Sequence, residues 1–342
     1  MNELATITRP QSVGSVSGSV VVPAAIAGAG EHATRRFLEF FAATIRNKNT
    51  RMAYYRACCS FFVWLDLNGI TELADIEPIH VAAYIEALQA TNAKPTVKQH
   101  LAAVRMLFDW LVVGQVLAIN PAHAVRGPKH VVKRGKTPVL AADDARRLLD
   151  SIAITRKAKA PDGSEIEIPC VVGLRDRALI AVMTYALARI GAVVGMRVED
   201  YYPQGKRWWV RLHEKGGKRH EMPAHHNLET YIDEYIATAG VRDDGKGPLF
   251  RSSVRRGDAL TAGPMHRIDA YRMVRRRTAE AGFTQRLGCH VFRATGITAY
   301  LESGGSLENA QAMAAHENPR TTKLYDRTSD AVTLEEVERI RI

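Results

Sequence analysis

A chain of 342 residues, 46% hydrophobic and 24% charged, has apolar matter enough for two cores and the ordinary composition of a soluble globular protein. Its 47 Lys and Arg against 36 Asp and Glu leave +11, a balance that points to a polyanionic partner, nucleic acid first. Four cysteines without a CxxC pair exclude a disulfide framework and a zinc set and fit a reducing cytosol, and no uncharged apolar run approaches the ~18 residues that span a membrane.

Residues 1–30 mix a Ser/Gly stretch with the apolar run Val20 to Gly30, and the only early basic residue is Arg9. This reads as a flexible leader rather than a secretory segment. Over 31–125 the spacing is helical. Phe37, Phe40, Phe41 and Ile45 form one stripe, and Tyr55, Phe62 and Trp64 lie on a second, between Ala53 and Leu65. A shorter helix covers Pro78 to Leu88, and Pro95 opens one carrying Val97, Leu101, Val104, Phe108 and Leu111 to a stop at Gly114. Four helices in this length make a compact bundle.

The run Arg126 to Lys136 holds five positive charges, no acid and loop punctuation, so 126–137 reads as a basic linker laid along phosphates through Lys129, Lys133 and Arg134. The second domain, 138–342, opens on a helix with Asp143 and Asp144 in its first turn. Arg156 to Pro169 reads as a polar surface loop around Pro161-Asp162-Gly163, and Leu174 to Ile190 as one long helix. Trp208 to Leu212 and Arg219 to Pro223 flank Glu214-Lys215-Gly216-Gly217-Lys218, a β-hairpin with a glycine turn. From Gly263 the pattern is helical again and ends in a short amphipathic helix over Thr333 to Ile340. The expected fold is mostly α with a small β-hairpin.

His290, Arg293, His316 and Tyr325 follow at intervals of 3, 23 and 9 residues, with Arg189 and Lys215 upstream. Attack on a phosphodiester needs cations for the phosphoryl oxygens, a nucleophile, and an acid for the departing alkoxide. A phenol becomes a useful nucleophile only where positive charge or a base assists its deprotonation. These six side chains supply each part without a metal.

The segments His290-Val-Phe-Arg293-Ala-Thr and Ala315-His316-Glu-Asn-Pro-Arg-Thr-Thr-Lys-Leu-Tyr325 resemble the tyrosine recombinase (phage integrase) family. The resemblance implies a helical core-binding domain, closed by Asn120-Pro121-Ala122, and a mixed α/β catalytic domain. Tyr325 is implied as the nucleophile, Arg189 and Arg293 as the phosphate grip, and His290 and His316 as proton acceptor and donor groups. Lys215 is implied as the acid. Arg197 is the rival to Arg189, and Lys218 to Lys215, though Pro223 falls where the family pattern favours Lys215. Two departures stand out: Ala192 replaces the acidic residue that usually buttresses the first arginine, and Ala314-Ala315 replaces Leu-Gly before the second histidine.

DNA contacts are expected from Arg46, Lys48, Arg51, Lys94, Lys98 and Arg105 in the first domain, and from Arg272, Arg275 and Arg276 on one helix face in the second. The implied partners are double-stranded DNA and three further protomers in a tetramer, with the tail docked on a neighbour and accessory proteins left open. No cofactor, metal or membrane enters, and the expected compartment is the bacterial cytoplasm, at the nucleoid. The alternatives are a type IB topoisomerase and a non-catalytic DNA-binding protein of the same fold.

Overall fold

The computed structural model describes residues 21–132, 135–214, 217–254, 258–326 and 337–338. The first twenty residues of the expected leader, the linker cations Lys133 and Arg134, Lys215, and most of the tail Thr333 to Ile342 lie outside the described residues. The chain divides into two compact units between Val131 and Val132.

The first unit is helical: α1 (Ala24–Gly28), α2 (Glu31–Glu39) running into a π-helical turn (Phe40–Thr44), α3 (Lys48–Leu67), α4 (Pro78–Thr91) and α5 (Lys94–Val113). Local chemistry sets the starts. The Asn47 side chain caps α3 by accepting from the N–H groups of Asn49 and Thr50, and prolines occupy the first turns of α4 and α5. Phe37, Phe40, Phe61 and Phe108 are fully buried, and Phe61 meets Phe62, Tyr84 and Phe108 edge to face.

The sequence analysis assigned all of 1–30 to a flexible leader, and from Val21 onward the structure differs. Val22 and Ile26 are buried in the same core, and the Tyr55 hydroxyl both accepts from Val21 N at 2.8 Å and donates to Val21 O at 2.9 Å. The apolar run that imitates a secretory segment is therefore core material.

In the second unit α6 (Ala142–Asp150) precedes an antiparallel pair, β1 (Thr155–Lys159) and β2 (Glu165–Pro169), where the sequence suggested a loop. The turn residues were legible, and Ile166 and Ile168 alternate with Glu165 and Glu167, but β1 offers only Ala158 and Arg156 opposite them and both strands are mostly exposed; Lys157 pairs with Glu165 at 2.9 Å. Helix α7 (Val171–Tyr185) is buried continuously from Gly173 to Met183. It stops short of the expected Ile190 because Leu187 adopts φ 50°, and the chain turns before the short α8 (Ile190–Val193).

Strands β3 (Tyr201–Gln204), β4 (Arg207–His213) and β5 (Arg219–Pro223) form one antiparallel sheet in that order, adding a strand to the expected hairpin. Then come α9 (His226–Ala239), a second pair β6 (Arg251–Ser253) and β7 (Leu260–Pro264), α10 (Arg267–Glu280), α11 (His290–Glu302), α12 (Leu307–Met313) and α13 (Pro319–Lys323). Asp176 of α7, fully buried, gathers Arg175, Arg276 and Arg277 and so ties α10 to the core. Helix α11 lies hard against the end of α7: a Cβ on Gly296 would fall 2.1 Å from Thr184 O.

Because Ile26 is fully buried in the first unit's core, we predict that Ile26→Ala destabilises the full chain by about 2–5 kcal/mol. Denaturant unfolding measures this. An unchanged midpoint would show that the segment contributes nothing to the core.

Candidate active site

The site is organised from the first turn of α11, where His290 and Arg293 stand three residues apart and so share one side of the helix. Arg293 is 1% exposed. Its two terminal nitrogens donate to the carbonyls of Leu187 and Ala314, and its buried Nε has no hydrogen-bond partner among the described residues. Burial pushes the Arg293 pKa down to about 10, Arg189 adds to that depression, and Glu214 and Tyr325 oppose it.

The backbone is bent to reach this cation. Leu187 (φ 50°) and Ala315 (φ 47°) are two of three non-glycine residues with left-handed backbone among those described. One supplies an accepting carbonyl and the other directly follows one. Such a conformation costs roughly 1–2 kcal/mol per non-glycine residue.

Arg189 lies between α7 and α8, and its NH1 donates to Glu214 Oε2; Arg293 NH1 is 3.9 Å from Glu214 Oε1. Glu214 follows β4 and is 6% exposed. It gives Arg189 a carboxylate partner, while Ala192, where the family resemblance leads one to expect an acid, is packed in the core. The sequence analysis missed Glu214. The available signal was an acid directly before Lys215, in a chain whose usual acid was absent.

Tyr325 follows α13 and is 7% exposed. Its backbone carbonyl accepts from Thr298 Oγ1 at 2.8 Å, which ties it to α11. The helix before it is set by Asn318, whose side chain accepts from Arg320 N at 2.9 Å, with Pro319 in the first turn. The Tyr325 hydroxyl lies 2.5 Å from His290 Nε2, a distance at which a neutral imidazole nitrogen accepts the phenol hydrogen. The His316 ring stacks on the Tyr325 ring at 5.8 Å and 10°, and His316 Nδ1 is 2.9 Å from Thr322 Oγ1.

Electrostatics divide the roles. Lost hydration, then Arg293 and Arg189, lower the His290 pKa; the same causes together with His290 bring His316 down to about 3. Burial raises the Tyr325 pKa while the two arginines pull it back. The site thus holds a protonated phenol against a neutral imidazole, beside two guanidiniums and one carboxylate. Such a set can remove a phenolic proton and hold an anion.

Arg189, His290, Arg293, His316 and Tyr325 are therefore brought together with Glu214, while Lys215 lies outside the described residues. His220 of β5, which the sequence did not flag, is also near: burial lowers its pKa, a hydrogen bond with the Met313 backbone opposes this, and Glu214, Lys218 and Arg293 act on it more weakly.

The expected DNA contacts divide. Arg46, Lys48, Lys94, Lys98 and Lys129 are exposed. Arg51 donates from Nε and NH2 to Ile45 O at 3.0 and 2.8 Å, and Arg105 donates to Ala122 O at 3.2 Å and Val125 O at 2.5 Å. These two guanidiniums are partly buried, and each donates to at least one backbone carbonyl. Arg272 is exposed and pairs with Asp269 at 3.4 Å, Arg275 is partly buried, and Arg276 is drawn to Asp176 at 3.0 Å.

Compared with known proteins, residues 163–331 match the phage integrase family and residues 35–114 the phage integrase N-terminal SAM-like domain. Tyrosine recombinase XerC of Salmonella typhi is 32% identical over 232 residues, 66% of this chain and 66% of that protein. XerC of Escherichia coli (strain K12 / DH10B) is 32% identical over 232 residues, covering 66% of this chain and 67% of the relative. Among solved structures, XerH recombinase bound to a palindromic difH substrate shares the fold at TM-score 0.67 and 14% identity, over 93% of this chain and 97% of that one. A lambda integrase tetramer bound to a Holliday junction does so at 0.65 and 16%, over 88% and 79%.

Two predictions follow from the backbone and the imidazoles. Ala315→Gly removes a left-handed alanine but loosens the unfolded chain, so we expect stability to rise by up to ~1 kcal/mol; a loss of more than ~1 kcal/mol in thermal unfolding would contradict the strain. The second concerns pH. An unfolded histidine takes up a proton as pH falls through its ordinary 6.5, whereas folded His316 resists until about 3. The unfolded state then binds more protons, and stability must fall with pH across that window. His316→Gln should flatten the decline, and an identical decline in the variant would refute its source.

Proposed function

Since this chain belongs to the phage integrase family of tyrosine recombinases, we propose that it is a site-specific DNA recombinase in which Tyr325 is the nucleophile. The observation that carries the assignment of residues is the 2.5 Å contact between the Tyr325 hydroxyl and His290 Nε2, set beside the Arg189 and Arg293 guanidiniums.

The chemistry follows from the geometry. A scissile phosphate seated on the guanidiniums places its non-bridging oxygens against planar donors, and the unpartnered Arg293 Nε suits such an oxygen. His290, neutral at physiological pH, takes the phenol proton as the phenolate oxygen bonds to phosphorus. The bond from phosphorus to the 5′ oxygen breaks, and Lys215 gives that oxygen its proton. The products are a 3′-phosphotyrosyl link and a free 5′ hydroxyl. His316, stacked on the phenol ring and anchored by Thr322, limits where the nucleophile can swing and donates from its remaining nitrogen.

In the second half, the 5′ hydroxyl of a partner strand attacks the phosphotyrosyl link and releases Tyr325. One phosphoester replaces another, so the bond energy is kept and no nucleotide triphosphate is consumed. The exposed cations Arg46, Lys48, Lys94, Lys98, Lys129 and Arg272 are assigned to the DNA, mainly to its backbone, with Lys133 and Arg134 of the linker. Arg275 and Arg276 are assigned there less directly, because Arg276 is partly committed to Asp176. Exchange between two sites needs four active sites, and a lambda integrase of the same fold is known as a tetramer on a Holliday junction. The same assembly is proposed here, with the tail Thr333 to Ile342 docked on a neighbouring protomer and the cytoplasm as the working compartment.

The test is a nicked suicide substrate carrying a candidate site, with the products run under denaturing conditions. The wild-type chain should give a covalent protein–DNA adduct, and Tyr325→Phe should bind the same DNA and give none. An adduct formed by the variant would remove Tyr325 from its role. Relaxation of supercoils without exchange between two sites would instead favour a type IB topoisomerase.

A further inference from the structure

Helix α13 is five residues long, too short to hold its shape unaided in water, and Tyr325 stands just beyond its end. The end of a helix leaves carbonyls without an intrahelical partner. The chain meets the first of them locally: Thr322 O accepts from Tyr325 N at 2.9 Å, and Lys323 O from Asp326 N at 3.2 Å. The next two are met from elsewhere. Leu324 O accepts from Gly135 N at 2.9 Å, and Tyr325 O accepts from Thr298 Oγ1 at 2.8 Å. The two carbonyls that flank the Tyr325 Cα are therefore held by different segments, one the end of the linker and the other α11.

The linker comes this near because residue 135 has no side chain. A Cβ on Gly135 would lie 2.5 Å from Leu324 O and 3.5 Å from Leu324 Cβ. Gly135 is not among the glycines with left-handed backbone, so close approach rather than conformation calls for glycine here. The contact continues along the chain. Val139 packs against the apolar cluster that contains Leu187, Ile297, Leu301 and Tyr325, and Leu140 N donates to Thr295 Oγ1 at 3.0 Å. Residues 135–140 thus run from the nucleophile's segment to α11, and Thr298 of that helix returns to Tyr325.

We propose that Gly135 is a positioning residue for the nucleophile: segment 135–140 braces the end of α13 against α11, and the Gly135 N–H fixes the point from which the Tyr325 phenol reaches the phosphate. The proposal rests on the assignment of Tyr325 made above. Arg293 takes its acceptors from Leu187 and Ala314, so a displaced brace moves the phenol and leaves the phosphate grip in place.

Gly135→Ala forces the two backbones apart by ~1 Å before ordinary contact is restored. Single-turnover adduct formation on the nicked suicide substrate is measured for the full-length wild-type chain and the variant. Because a misplacement of ~1 Å can slow a reaction ~10²-fold, Gly135→Ala should lose ~10-fold or more, with its affinity for the same DNA unchanged. The distinguishing readout replaces the nucleophile. In a Tyr325→Phe background hydrogen peroxide is supplied, and its oxygen attacks the phosphate held by the same guanidiniums while the 5′ oxygen departs. That reaction needs the grip but not the place of the phenol. Adding Gly135→Ala to Tyr325→Phe should leave the peroxide rate unchanged.

Should Gly135→Ala fail to fold, Val139→Ala loosens the same segment at its apolar contact, and the same contrast is expected of it: slower adduct formation with unchanged peroxide cleavage. Equal losses with tyrosine and with peroxide overturn the proposal, because the segment then supports the grip or the fold at large. An undiminished rate of adduct formation by Gly135→Ala overturns it as well. A wild-type chain that forms no adduct on DNA that Tyr325→Phe cleaves with peroxide fails the underlying assignment of Tyr325, which is distinct from a failure at Gly135.

Discussion

A guanidinium that is 1% exposed is the constraint around which the second unit is built. A buried charge is tolerable only when protein dipoles and an opposite charge replace its water. Arg293 receives both, from the carbonyls of Leu187 and Ala314 and from Glu214 nearby. The cost appears elsewhere, in left-handed backbone at Leu187 and Ala315 and in the close approach of α11 to α7 at Gly296. Other residues of α11 then fix their neighbours: Thr295 accepts from Leu140 N at 3.0 Å, and Thr298 donates to Tyr325 O at 2.8 Å. Holding one cation rigid thereby fixes the position of Tyr325.

Charge balance explains why the arrangement suits a phosphodiester. Two guanidiniums and one carboxylate leave a single excess positive charge when both histidines are neutral, as their lowered pKa values require. A phosphodiester carries one negative charge and completes the set. Doubly protonated histidines would bring three positive charges to bear on one anion and would remove the base that the phenol needs. Burial first, and the two arginines after it, keep the adjacent imidazoles unprotonated.

Much of this was legible in the sequence because the signals were local. Proline at helix starts, the 3.6-residue stripes of the first unit and the glycine turn at 214–218 each follow from a few neighbouring residues. The polar set at 290, 293, 316 and 325 was readable because its chemistry is specific and its spacing short. What escaped depends on tertiary context. Strands β1 and β2 are short and mostly exposed, and the alternation of Ile166 and Ile168 in one meets only Ala158 and Arg156 in the other. Val22 and Ile26 look like a leader until Tyr55 gives the chain a place to dock. Arg51 and Arg105 read as phosphate contacts, and nothing in their spacing announces that each also donates to a backbone carbonyl. Glu214 is 25 residues from Arg189, and no local pattern pairs them.

The exchange of an acid at 192 for one at 214 has a mechanical consequence. Position 192 lies on α8, where Ala192 N donates to Arg189 O at 2.8 Å, so a carboxylate there would move with the arginine it serves. Position 214 lies where a strand becomes a turn. Ala192, packed at 4% exposure, lets the core close over the site that the acid would otherwise occupy. The carboxylate partner of Arg189 in this chain therefore comes from the end of β4, 25 residues along the chain, and not from the helix that follows the arginine.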